Sequence, residues 1–329
     1  MYNNQKEEIK FIDLFCGIGG FRVAFEEACN ENLIDSKCVF SSDIDEFCQE
    51  SYEANFGERP HGDITKIQES EIPDHDILFA GFPCQPFSII GQMKGLNDTR
   101  GTLFFDIARI IEHKKPTAFI LENVKQLVGH DSGKTLKVIV KTLIDLGYFV
   151  QYRVLNALDY GLPQKRERVV IVGHKEPILF TFPEPIRPYK DLSEILEENV
   201  DEKHFASDYI QNKRKESHNP SFFPSIWHEN KSGNISSYPF SCALRAGASY
   251  NYLLVNGERR LTPREMFRLQ GFPDTYKIVV SDGQARKQAG NSVPVTMVKA
   301  VIQKLLPYVS TSLDKSLILR EDDVIYSRN

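Results

Sequence analysis

Four short apolar runs constrain this chain most: Lys10–Phe15, Cys38–Phe40, Asp76–Ala80 and Thr117–Leu121, each stopping within a few residues of a glycine or a carboxylate. Apolar runs this short, bounded by turn residues, read as buried strands. Between them lie helical patterns at Phe21–Ala28 and Thr102–Ile111, and another is expected over Lys134–Leu146. The alternation predicts an α/β fold with a mostly parallel sheet. Ligands bind such sheets beyond the carboxyl ends of the strands. Gly17, Asp43, Asp63 and Cys84 all follow strands and so share that edge.

The residues along this edge each admit a functional and a structural reading. Glycines in Cys16-Gly17-Ile18-Gly19-Gly20 let a ligand approach the backbone at a helix N-terminus. The run lacks the third glycine of a dinucleotide fingerprint. Asp43 follows Gly17 by 26 residues, near the spacing that puts an acid on ribose hydroxyls, and it equally suits a helix N-cap. In Gly81-Phe82-Pro83-Cys84 the proline stiffens the backbone that presents a thiol, although a lone cysteine is more often structural. Ile90–Gly101 contains three glycines and reads as a moving lid or an ordinary loop. Glu122, directly after an apolar strand, is partly desolvated and suited to hold a proton, or else caps a helix. Arg166 and Arg168 stand two apart on a strand and point to one face, or form a solvated edge.

The 329 residues allow one large domain and a smaller one. No apolar run approaches the roughly 18 residues of a membrane span, and the polar start carries no signal-peptide core. The six cysteines form no Cys-x-x-Cys pair, so reduced thiols in a cytoplasm are expected rather than disulfides or a zinc site. A net charge of −5 does not announce a polyanionic partner, but a local basic cleft is enough for one. After Phe182 prolines cluster and periodicity fades, through Lys213-Arg214-Lys215 and Trp227 to about Tyr250. This places one domain over 1–183 plus 285–329 and a smaller, irregular one over 184–284.

Six stretches, in this order, resemble the DNA (cytosine-5)-methyltransferase family of the bacterial HhaI and HpaII type. They are Phe-x-Gly-x-Gly-Gly at 15–20, Gly-Phe-Pro-Cys-Gln at 81–85, Glu-Asn-Val at 122–124, Gln-x-Arg-x-Arg at 164–168, Arg-x-Leu-Thr-x-Arg-Glu at 259–265 and Gly-Asn-Ser-Val at 290–293. The resemblance implies a Rossmann-like methyltransferase sheet, a target-recognition domain, and S-adenosylmethionine as cofactor with no metal. It implies that Phe15, Gly17, Ile18, Gly19, Gly20 and Asp43 hold the cofactor. Ile44, Asp63, Ile64, Pro83, Leu103, Asn291 and Ser292 would complete that site. Cys84 would add as a thiolate to carbon 6 of cytosine, with Glu122 at ring nitrogen 3, Arg166 on the carbonyl oxygen and Arg168 bracing them. The base must leave the duplex to reach Cys84. Gln85, Ser88, Arg100, Leu244 and Arg245 would touch double-stranded DNA, and Lys213, Arg214, Lys215 and Arg245 could bind its phosphates. A monomer in the bacterial cytoplasm is implied, with a cognate restriction endonuclease acting on the same site but not bound.

The chain departs from the family pattern at Cys16, Asp43 and Ile44, and at Cys242-Ala243-Leu244 in place of a Thr-Leu pair. Two rivals are the same chemistry on transfer RNA, whose Cys-Phe-Thr signature is missing, and an inactive DNA-binding regulator, which Cys84, Glu122 and Arg166 argue against.

Overall fold

A computed structural model describes residues 8–83, 103–186 and 188–309. The apolar runs become strands β1 (Glu8–Leu14), β2 (Asp35–Ser42), β3 (Ile77–Gly81) and β4 (Ala118–Val124), separated by helices α1 (Gly20–Glu31), α2 (Glu46–Phe56) and α3 (Leu103–Lys114). Helix α4 (Lys134–Asp145) leads to β5 (Phe149–Asn156), the short β6 (Gln164–Lys165) and β7 (Glu167–His174). The six-stranded sheet has the order β2-β1-β3-β4-β7-β5. Its first four strands are parallel, and β7 is antiparallel to both β4 and β5. The chain winds from β1 outward to β2 and then back across to β3, so a crevice opens at the carboxyl ends of β1 and β3.

Alternation along β1 divides the core. Ile9 and Phe11 pack on one face with α1 and with α8 (Val295–Leu305), while Ile12 and Leu14 pack on the other with α3 and α4. The α8 helix is paired to α1 by Lys299, which bridges Glu27 at 3.0 Å and Glu31 at 2.6 Å.

Two sequence expectations need correction here. Glu122 does not follow β4 but lies within it, opposite Gly81 of β3 and Val170 of β7. Pairing on both sides carries the ladder past the apolar run. The stretch after Phe182 also holds more regular structure than its periodicity promised. It contains α5 (Asp208–Ser217) and a small antiparallel sheet of β8 (Ile226–Glu229), β9 (Ile235–Tyr238) and β11 (Leu253–Val255), in the order β11-β8-β9. Strand β10 (Ser241–Cys242) pairs with β6 instead, tying this region to the segment before β7. Helices α6 (Pro263–Leu269) and α7 (Asp282–Asn291) precede α8. Pro263 opens α6 behind a Thr262–Glu265 capping box, as its position forecast.

Candidate active site

The turn after β1 faces an open cleft. Phe15 and Gly17 both have φ of 54°, and the Cys16 N–H donates to the Ser42 carbonyl at 3.0 Å, fixing the turn against the end of β2. A Cβ added at Gly17 would meet nothing within 4 Å. The cleft holds about 690 Å³, a size suited to a small-molecule ligand. Its walls are the carboxyl ends of β1 to β4, Arg166 and Arg168, and the segment joining α7 to α8.

Phe15, Gly17, Ile18, Gly20, Asp43, Ile44, Asp63, Ile64, Pro83, Leu103, Asn291 and Ser292 all border this cleft. Gly19, which sequence reasoning assigned to the cofactor, does not. It has φ 77°, and a Cβ there would lie 2.4 Å from the Phe56 ring, so its lack of a side chain lets α1 pack on α2.

Asp43 accepts the Gly17 N–H at 2.8 Å on one oxygen and the Asp45 N–H at 2.9 Å on the other. An ionised carboxylate offers about four lone-pair positions, so each oxygen can still accept a ligand hydroxyl. Burial pushes the Asp43 carboxyl up, opposed by those two backbone donors. The α2 N-cap is Asp45, which accepts the Phe47 and Cys48 N–H groups, so the capping alternative for Asp43 is set aside. Asp63 caps a short turn through Thr65, whose hydroxyl and N–H hold its carboxyl below the usual range.

Glu122 and Arg168 form a nearly dry ion pair, with Arg168 Nε 2.8 Å from Glu122 Oε1 and side-chain exposures of 13% and 10%. The approach is close but not aligned as a hydrogen bond, so Oε1 is left without a hydrogen-bond donor. Burial raises the Glu122 carboxyl, and Arg168 and then Arg166 counter it.

Arg166 is used differently from the sequence expectation. It is 1% exposed, and its two η nitrogens donate to the carbonyls of Leu244 at 2.9 Å, Gly290 at 3.0 Å and Ser292 at 2.7 Å. Nε, buried and without a partner, and the second N–H of the nitrogen bonded to Leu244 remain for anything else. Arg166 sits in the break where β6 pairs with β10 and β7 pairs with β4, so the two arginines share the cleft but not a ladder.

Two contributors were missed. The Asn123 amide donates to the Phe82 carbonyl at 2.9 Å and so fixes the backbone entering Pro83. Gln288 on α7 reaches the Phe47 carbonyl at 2.8 Å and Ser51 Oγ at 3.0 Å, closing the cleft across α2. The Asn within Glu-Asn-Val was a readable signal for the first. Nothing local marks the second.

Cys84, Gln85, Ser88 and Arg100, with the expected lid, lie outside the described residues. Leu244 is buried, its N–H donating to Gln164 Oε1 at 3.0 Å, whereas Arg245 beside it is exposed. Arg214, expected at a phosphate, is 2% exposed, paired with Glu229 at 2.8 Å and donating to the Asn251 carbonyl. Its guanidinium therefore holds the small sheet together. Lys215 is paired with Glu258 at 2.7 Å. Among the described residues no three His, Cys, Asp or Glu side chains converge as a metal site, and no helix is long and apolar enough to cross a membrane.

Residues 9–306 match the family described as C-5 cytosine-specific DNA methylase. The chain is 54% identical over 320 residues to the type II methyltransferase M.NgoBI of Neisseria gonorrhoeae, covering 95% of this chain and 99% of that one. It is 41% identical to the type II methyltransferase M.HhaI of Haemophilus parahaemolyticus, covering 96% and 97%. Among solved structures the Entamoeba histolytica methyltransferase EhMeth matches in fold with a TM-score of 0.70 at 19% identity, over 94% of this chain and 99% of that chain.

Proposed function

Because this chain belongs to the C-5 cytosine-specific DNA methylase family, we propose that it moves a methyl group from S-adenosylmethionine to carbon 5 of a cytosine flipped out of a short double-stranded DNA site. The observation that carries this reading is the buried Glu122–Arg168 pair, set in the cleft that Pro83 and the Asp43–Gly17 turn also border.

The residues present fit the cofactor. Asp43 keeps free lone pairs for ribose hydroxyls, Gly17 leaves the backbone open to the ligand, and the apolar Phe15 and Ile44 border the same cleft. When bound, the cofactor supplies an electrophilic sulfonium methyl.

Carbon 5 of cytosine is a weak nucleophile. The Cys84 thiolate adds to carbon 6, the 5,6 double bond opens, and electron density moves through the ring toward nitrogen 3 and the carbonyl oxygen. Glu122 in its acid form holds a proton at nitrogen 3. Arg168, already at the Glu122 carboxylate, is better placed than Arg166 to stabilise the oxygen, because Arg166 has committed its η nitrogens to backbone carbonyls. After transfer the carbon-5 proton leaves to a base and the thiolate is expelled, restoring the double bond.

We assign cofactor chemistry to 1–183 plus 285–329 and base reading to 184–284. The type II relatives support a restriction–modification role in a bacterial cytoplasm. The enzyme would act as a monomer, and a nuclease would share its site without being bound to it. Bisulfite sequencing of a naive genome expressing the protein should reveal one short site with a modified cytosine. DNA carrying 5-fluorocytosine at that position should trap an adduct on Cys84, because the proton that must leave carbon 5 is missing. An adduct mapped to another residue, or a genome left unmethylated, would overturn the proposal.

A further inference from the structure

The two edges of the six-stranded sheet are treated differently. At the β2 edge, Asp35 and Lys37 put charge on the strand, and its carboxyl end is covered by the segment at His61. The His61 N–H donates to the Ser41 carbonyl at 2.8 Å, and the Asp43 N–H to the His61 carbonyl at 2.9 Å. Charge and cover are ordinary ways of blunting an edge. Strand β5 has little of either. Its eight residues pair with β7 without a register shift, contain no proline and carry one charge, that of Arg153. Among the described residues no backbone group bonds to the outer side of β5.

Apolar surface flanks this edge on both faces. Leu155 packs in the core shared with α1 and α8, and Val150 and Val154 pack against the core shared with α3 and α4. Successive side chains alternate, so Phe149 and Arg153 stand on the first face and Tyr152 on the second. Both aromatic residues are exposed. Among the described residues Arg153 has no carboxylate partner, and its guanidinium carbon lies 5.4 Å from the centre of the Phe182 ring. An open strand with these properties is a template for one more strand.

The described chain stops beside it. The Tyr308 carbonyl accepts from His174 Nε2 at 2.9 Å, and the Tyr308 hydroxyl donates to the Leu179 carbonyl at 2.9 Å. His174 ends β7 opposite Phe149, the first residue of β5. Residues 310–329 follow Val309 and include Leu317-Ile318-Leu319-Arg320-Glu321. The linking residues 310–316, up to about 25 Å when extended, allow Leu317 to reach Phe149. An apolar triplet offers side chains to both faces of an edge, as Phe149 and Tyr152 require. Leu317 and Glu321 are four residues apart, and so are Phe149 and Arg153.

We propose that Leu317–Glu321 lies along the open edge of β5 as a seventh strand, with Leu317 beside Phe149 and Glu321 beside Arg153. This strand runs parallel to β5, away from Val309. A second copy of the chain suits the edge less well, because β5 paired with its own sequence supplies no acid for Arg153. With its own segment in place, the protein closes the edge to other copies, whatever reaction the cleft performs.

Hydrogen exchange of the full-length protein, resolved to single amides, tests this. The amides of β5 alternate between the β7 side and the outer side, and in the wild type both sets should be protected. Leu319→Asp puts a carboxylate in the apolar triplet. The outer set should then exchange about ten-fold faster or more, while the β7-facing set keeps its protection. Outer amides that are unprotected in the wild type would overturn the proposal. So would protection that rises with protein concentration, survives Leu319→Asp and accompanies a dimer in sedimentation, which would make a second copy the cover. Protection that survives the substitution in a monomer would assign the edge to another segment and refute the proposal as well. If Leu319→Asp unfolds the protein, seen as loss of the β7-facing protection, the charge pair decides. Arg153→Glu and Glu321→Arg should each speed the outer amides by about three-fold or more, and the two together should restore them. No effect from either, or no restoration, would overturn the pairing.

Discussion

Replacing Glu122 by Gln keeps the side chain's shape and removes its ability to give a proton. The wild-type carboxyl lies within β4, 8% exposed, and burial raises it more strongly than Arg168 and Arg166 lower it. Its acid form therefore persists to higher pH than that of an ordinary glutamic acid. A positioned general acid contributes about 10²–10⁴-fold to the rate, or roughly 2.7–5.4 kcal/mol of barrier. We expect kcat of Glu122→Gln to fall by that factor while cofactor affinity is kept. Wild-type kcat should decline as pH rises through the raised folded-state value, and that limb should be missing in the variant. Stability follows the same sign. Between the unfolded and folded values the folded protein holds a proton the unfolded chain has released. The contribution is therefore full below the unfolded value and lost as pH rises through the folded one. Glu122→Gln should lack this loss. Single-turnover transfer of labelled methyl from pH 5 to 9, paired with urea unfolding at each pH, measures both. A variant retaining more than a tenth of wild-type kcat, or a flat wild-type profile, would refute the acid role.

Two further outcomes follow from the described contacts. Asp43→Ala removes the acceptor shared by the Gly17 and Asp45 N–H groups and should weaken cofactor binding about ten-fold or more by calorimetry; unchanged affinity would end its assignment to ribose. Glu265 is fully buried and accepts from Arg259 at 2.9 and 2.8 Å, from Glu197 N at 2.8 Å and from Thr262 N at 2.8 Å. Glu265→Gln should cost about 3–5 kcal/mol and lower Tm by roughly 4–7 °C in a calorimetric scan. A cost near that of breaking the exposed Arg268–Asp274 pair, about 1 kcal/mol or less, would show the network to be dispensable.

The parallel half of the sheet was legible because β1 to β4 are apolar enough to be read without knowing their neighbours. The same holds for the carboxylates at their ends, since a charged residue after a buried run has few places to go. Strand β5 was expected only as the unlocated partner of the strand over Arg168–Gly173. It lies at the sheet edge with much of its length exposed, so no apolar run marks it. The contacts of Gly19 and Arg166 were not legible for another reason. What each does depends on residues distant in sequence: Phe56 under the glycine, and Leu244, Gly290 and Ser292 around the arginine. Arg214 shows the limit of reading charge from composition, since a run of three basic residues placed one of them in the interior.

The cofactor cleft joins parts of the chain that are made far apart in time. Asp43 and the glycine turn lie near one end of the sequence, and Gln288, Gly290 and Ser292 near the other. At about 5–20 residues per second on the ribosome, roughly 12–50 s separate the synthesis of Asp43 from that of Ser292. Until α7 emerges, Gln288 cannot reach Phe47 and Ser51, and Arg166 lacks two of its three carbonyl partners. A product ending before α7 would carry Cys84 and Glu122 but lack Gln288 and the Gly290 and Ser292 carbonyls, so its cleft would be left unclosed.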